Sequence, residues 1–297
     1  LLFLLFILVY GSACSVRKYS INKLGDAFAN SGATFASDDD LQLIREAVPF
    51  SLKLIESLLL ETPRHRGLLL AACRGFTQYT YAFVQEDADE LEDRDVAAAG
   101  VLRARARRLY VRARTYGIRG LEVRYPGLGE ALYKDAKNTV RLFSAKDVPW
   151  IYWTGAAWGA TISVSKEDPE AVADVPIVEA LLDRALELDE GFEQGAIHTF
   201  LITYEMSRPG GVGDPVARSK RHFDKAVKFS NGLLASPFVA YAEAVSVSKQ
   251  DRSEFQALLN RAIAIDASAK PEYRLLNLLM QKRARWLLSR VDQLFVD

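Results

Sequence analysis

The chain has 297 residues with 38 basic and 38 acidic side chains, so no net charge draws it toward nucleic acid. Apolar residues make up 49% and glycine only 18 positions, which excludes a disordered chain and suits a folded, helix-rich one. The length allows one large domain or an extended array of smaller units.

The first ten residues, LLFLLFILVY, are wholly apolar but too few to span a bilayer as a helix. Gly11-Ser12-Ala13-Cys14 follows at once, and small residues ending at a cysteine resemble the processing site of a bacterial lipoprotein signal peptide. Residues 1–13 are therefore expected to be a signal peptide truncated at its start, with Cys14 the acylated first residue of the mature chain. Gly11 departs from the usual leucine, and the alternative is an ordinary secretory signal that leaves Cys14 a plain thiol. Cys73 would then have no partner for an internal disulfide when Cys14 is lipidated, and its apolar helical context reads as core.

Residues 14–40 are polar and rich in small side chains, and read as a tether or lead-in. Helical spacing begins at Leu41, where Val48, Leu52, Ile55, Leu58 and Leu59 form a stripe that stops at Thr62-Pro63. A second helix, from Arg66 to about Gln85, carries Leu69, Ala72, Cys73, Phe76, Tyr79 and Phe83. The acidic run Glu86–Asp95 then precedes a helix, Val101–Arg119, that holds seven arginines. Nucleic acid or anionic lipid would suit such a helix, but neighbouring charged faces in a solvated network account for it better. Tyr116-Gly117 and Pro126-Gly127-Leu128-Gly129 loosen the pattern before a further helix, Glu130 to Phe143.

Trp150–Ser165 holds three of the four tryptophans among small residues that let a neighbouring helix approach closely. The aromatic cluster Trp150, Tyr152 and Trp153 fits either an interface anchor or core packing. Next come a helix at Val175–Asp189 and a hairpin at Gly195–Ser230, broken by Arg208-Pro209-Gly210-Gly211-Val212-Gly213-Asp214-Pro215. Asp214-Pro215 is a helix start, because the carboxylate accepts from free N–H groups and proline suits the first helical position. The glycines lack the Lys-Ser/Thr of a phosphate loop, so the break reads as a connector. A last hairpin, Pro237–Ser248 with Ser253–Ile265, precedes a terminal amphipathic helix, Pro271–Phe295, expected to cap the final hydrophobic face.

One pattern recurs in the second helices: a small or apolar residue, an apolar one four on, and alanine three after that. It appears as Ala106-Tyr110-Ala113, Val178-Leu182-Ala185, Ser219-Phe223-Ala226 and Phe255-Leu259-Ala262, with a weaker copy at Ser51-Ile55-Leu58. The later copies recur at about 36 to 41 residues, with one interval near 72 that leaves room for a degenerate unit. The pattern resembles the tetratricopeptide repeat. The expected fold is all-α: a tetratricopeptide-like helical-hairpin solenoid, 41–297, with a C-terminal capping helix.

From about Val48 to Asp266 the chain also resembles a particular family, the T component (TatT) of tripartite ATP-independent periplasmic (TRAP) transporters. The distinctive stretches are Gly75–Phe83, Arg105–Tyr110, Val148–Thr154 and Gly210–Asp214. The resemblance implies a periplasm-facing, lipid-anchored, non-enzymatic protein that forms a homo-oligomer, a trimer, and docks the solute-binding P component. A small hydrophobic ligand near that contact is part of the same expectation. Family geometry places Arg74, Gln78, Trp158, Leu201 and Tyr204 along a concave groove for partner or ligand, although tryptophan and leucine at helical spacing also suit interhelix core.

His65, His198 and His222 lack a second ligand at metal spacing, and no nucleophile constellation is present, so neither metal, cofactor nor catalytic residue is expected. The competing functions are a general envelope-assembly scaffold unrelated to solute uptake and an enzyme built on helical hairpins.

Overall fold

A computed structural model describes residues 22–27 and 32–296, and the regular elements among them are all helical. The predicted signal segment and Cys14 lie outside the described residues. The principal helices are α1 (Leu41–Glu61), α2 (Arg66–Thr80), α3 (Val96–Glu122), α4 (Leu128–Thr139), α5 (Val148–Ser163) and α6 (Val175–Leu188). They are followed by α7 (Phe192–Tyr204), α8 (Pro215–Phe229), α9 (Ser236–Tyr241), α10 (Arg252–Ile263) and α11 (Arg274–Ser289). Two helices continue through a wider, π-helical turn: α2 through Tyr81–Gln85 into Glu86–Leu91, and α9 through Ala242–Ser246.

Aspartates set several helix starts. Asp40, Asp95, Asp214 and Asp251 each accept from backbone N–H groups of the first turn of α1, α3, α8 and α10, satisfying donors that have no partner within the helix. The predicted Asp214-Pro215 start is one of these. Just before it, the Arg218 guanidinium donates to the carbonyls of Gly213 at 2.7 Å and Glu205 at 2.9 Å, so the glycine-rich break is tied down from inside α8.

Successive helices pack on one another, with α5 in contact with α2, α3, α6 and α7. Because α5 touches neighbours all around, Trp150, Ile151, Tyr152, Trp153, Ala157 and Trp158 are all buried, as expected for a helix apolar on every side. Most of the recurring pattern lies inside: Ala106, Tyr110, Ala113, Ala185, Ala226, Phe255, Leu259 and Ala262 have no exposed surface, while Phe223, Ser51 and Leu58 are half-buried. Helix α11 packs against α10 and returns to α1 and the segment before it, where Arg274 donates to the Ser37 carbonyl at 3.0 Å.

Three boundaries differ from expectation. Helix α3 runs through Gly117 to Glu122, because these glycines serve close packing and not a turn. A Cβ at Gly117 would meet Thr154, and one at Gly120 would enter the Trp150 ring. Helix α4 ends at Thr139 and is kinked at Asp135. The terminal segment is not one helix: α11 stops at Ser289 and a short turn, Val291–Leu294, follows. The α3 arginines pair widely, Arg107 with Asp168 at 2.5 Å, Arg112 with Glu56 at 3.2 Å and Arg114 with Asp174 at 3.3 Å. Their charge is thus answered by acids on other elements as well as by the preceding acidic run.

Candidate functional site

The five residues assigned to a groove fall in different surroundings. Arg74 and Gln78 lie one turn apart on α2 and are exposed. Trp158 is only 2% exposed, its Nε1 donating to Asp174 at 2.8 Å while Arg114 covers its ring. Leu201 is 1% exposed and belongs to the core. Tyr204 is half-buried, with its hydroxyl donating to Glu179 at 2.8 Å. The sequence reading of the groove is corrected on this point: Trp158 and Leu201 are interhelix core and have no accessible face to offer a ligand.

The structure instead joins Arg74 to Trp153. The guanidinium stands 5.2 Å from the Trp153 ring centroid, a favourable place for a cation over an aromatic face. Glu193, at the start of α7, completes the set: its Oε1 lies 3.4 Å from Arg74 and accepts from Trp153 Nε1 at 3.4 Å. Tyr152 meets Trp153 edge-on at 5.1 Å and Phe192 at 5.3 Å. Burial, and then the Glu193 charge, push the Tyr152 hydroxyl up, so it stays protonated as a neutral donor.

The backbone beneath this cluster is unusual. Glu193, Gln194 and Gly195 have φ of 42°, 56° and 89°, three left-handed residues in succession, two of them without glycine's freedom. Gly195 is required for a second reason, since a Cβ there would lie 3.0 Å from the Ala226 Cα of α8. Such strain persists only where the surroundings enforce it, and here it holds the Glu193 carboxylate against Arg74 and Trp153. Sequence reasoning missed Trp153 and Glu193 as a pair because forty residues separate them. The aromatic run Trp150-Tyr152-Trp153 was the available signal.

A second cluster was also hidden by spacing. His198 on α7 and His222 on α8 approach Nδ1 to Nδ1 at 2.8 Å, and His198 stacks on Phe229. Burial, followed by the neighbouring His222, pushes His198 down to about 4, and burial also lowers His222. The unfolded chain therefore takes up these protons first as pH falls. The contribution to stability is complete above the ordinary value of 6.5 and is lost toward about 4. Acidification across that window is expected to cost about 3 kcal/mol of stability through this pair. His198→Phe, which keeps the stacking, should flatten the dependence in thermal melts; an unchanged slope would refute it. Among the described residues, no group of three or more His, Cys, Asp or Glu is placed to hold a metal ion.

No helix among the described residues is long and apolar enough to cross a membrane. An uncharacterized protein of Treponema pallidum (strain Nichols) is 30% identical over 267 residues, covering 89% of this chain and 83% of its own length. The family model for the TRAP transporter T-component matches residues 37–295, so the match takes in every principal helix from α1 to α11. The chain belongs to the TRAP transporter T-component family, a transporter component and not an enzyme class.

Proposed function

We propose that this protein is a non-enzymatic scaffold of a TRAP-type solute uptake system, anchored through a lipid on Cys14 and facing the periplasm. Its helix pairs, over 41–297, build a tetratricopeptide-like superhelix closed by α11, and it works as a homotrimer. The face carrying Arg74 and Gln78, backed by Trp153 and Glu193, docks the solute-binding P component, with a small hydrophobic ligand held near that contact. Family membership over residues 37–295 is the observation that carries this reading.

The chemistry of the face supports it. An arginine held over a tryptophan and steered by a carboxylate is oriented before a partner arrives, which reduces the ordering cost of binding. Arginine and aromatic side chains are also those that dominate affinity at protein interfaces. The test is direct binding between this protein and the solute-binding P component of its transporter. Because Arg74 and Gln78 are exposed, Arg74→Ala with Gln78→Ala should leave the circular dichroism spectrum unchanged while weakening the complex about tenfold or more. Wild-type affinity in that variant would move the docking face elsewhere. Absence of any complex at micromolar concentration in the wild type would overturn the role itself.

A further inference from the structure

The two ends of the helical array meet where the extension of α2 beyond its π turn faces α11. Asp89 lies 3.0 Å from Arg283, Glu90 2.8 Å from Lys282 and Asp93 2.7 Å from Arg290. These three pairs join the two segments in a charged seam. Arg283, 6% exposed, also bonds Glu243 in the π turn of α9, so it ties that turn to the α2 extension. Packing beside the seam is incomplete. A cavity of about 190 Å³ is lined there by Leu41, Gln42, Phe83, Leu279 and Lys282, among others.

Behind these pairs sits Glu86, the first residue after the α2 π turn and 1% exposed. Neither of its carboxylate oxygens has a hydrogen-bond partner, and the buried Nη1 of Arg283 has none either. Tyr81, Asp89 and Glu90 belong to the same helical segment; Lys282 and Arg283 approach from α11, Glu243 from the α9 π turn, and Tyr110 and Arg103 from α3. Four carboxylates therefore share this region with three cations. A negative Glu86 would be a buried charge without a donor, set among carboxylates that the seam needs for its ion pairs. A neutral Glu86 removes that conflict.

We propose that the seam between the α2 extension and α11 is a proton-operated latch, closed while Glu86 is neutral and released when Glu86 ionises. Burial pushes Glu86 up to about 8 from its ordinary 4.5, with Arg283 and Lys282 opposing the shift. A group raised in this way favours the closed form fully at acid pH and loses that contribution as pH rises through its closed-state value. Release therefore lies on the alkaline side. Because the rim pairs are partly exposed, added salt acts in the same direction. The π turns fit this use, since wide turns are a common mark of functional sites within helices.

Hydrogen–deuterium exchange on the intact protein at about pH 6.5 and about pH 8.5, corrected for intrinsic exchange, tests the latch. The expected result is a rise of about tenfold in residues 81–93 and 274–290, with α6 and α8 changing less than about twofold. Glu86→Gln, which stays neutral, should keep the seam protected at both values. An unchanged seam in the wild type, an equal rise in α6 and α8, or the same rise in Glu86→Gln would each overturn the proposal. Should Glu86→Gln fail to fold, a carboxyl-detected NMR titration of the wild type decides. Ionisation of Glu86 in the ordinary carboxylate range overturns the latch, and ionisation near neutral to alkaline pH supports it.

Discussion

Gly120→Ala is expected to destabilise the protein by about 3 kcal/mol, seen as a lowered midpoint in thermal or urea unfolding. The added methyl would enter the Trp150 ring, and that ring cannot readily retreat, being 6% exposed with Arg66 stacked 4.9 Å from its centroid. Either the indole leaves its rotamer or α3 and α5 separate, and the second outcome disturbs the helix that touches α2, α6 and α7 as well. The surface substitution Gly100→Ala on the same helix is the control. Nothing lies within 4 Å of a Cβ there, and helix propensity favours alanine, so it should be neutral or slightly stabilising. Equal effects at both positions would refute the packing account.

The second large effect belongs to Asp147. It is fully buried, accepts from the Ser144 N–H at 3.0 Å and hydroxyl at 2.9 Å, and takes further bonds from Arg124 and the Tyr125 hydroxyl, each at 2.9 Å. Burial pushes its carboxyl up, but these donors together hold it below the usual range. Asp147→Ala should cost about 3 kcal/mol, from the lost capping box of the short turn Ala145–Asp147 that leads into α5 and from the unpaired donors; Arg124 is partly solvated, which keeps the loss from being larger. Because the folded value is depressed, the stabilisation is present above the ordinary aspartate range and disappears as pH falls through the folded one. The gap between wild-type and Asp147→Ala stability measured from neutral pH downward should therefore close at the acid end. A constant gap would assign the loss to packing alone.

Helix types and the interior line of the repeats were legible because they rest on local rules. Asp214-Pro215 starts α8, and Ala106, Tyr110 and Ala113 turn inward, for reasons contained in a few adjacent residues. What was illegible depends on partners distant in sequence. Gly117 and Gly120 look like helix breakers until Thr154 and Trp150 are known to lie against them. Trp153 and Trp158 are five residues apart on one helix and so differ by about 140° in direction, and only the neighbouring helices decide which side chains cover each ring. Arg74 reaches Trp153, whereas Trp158 is closed in by Arg114 and Tyr133. Glu193 and Gln194 gave no warning of left-handed backbone, since neither is a residue that favours it.

The π turn at Tyr81–Gln85 also has a genetic consequence. Such a turn holds one residue more than the α-helical ladder would, so removing a single residue from 81–85 would restore regular hydrogen bonding and leave the helix ends nearly where they are. Five residues of so wide a turn cover about the same angle as four of an α-helix, so Glu86, Asp89 and Glu90 would keep the side that meets α11. A one-codon deletion is thus expected to be tolerated in the π turn, whereas the same deletion in the regular part of α2 would turn the junction face by about 100°.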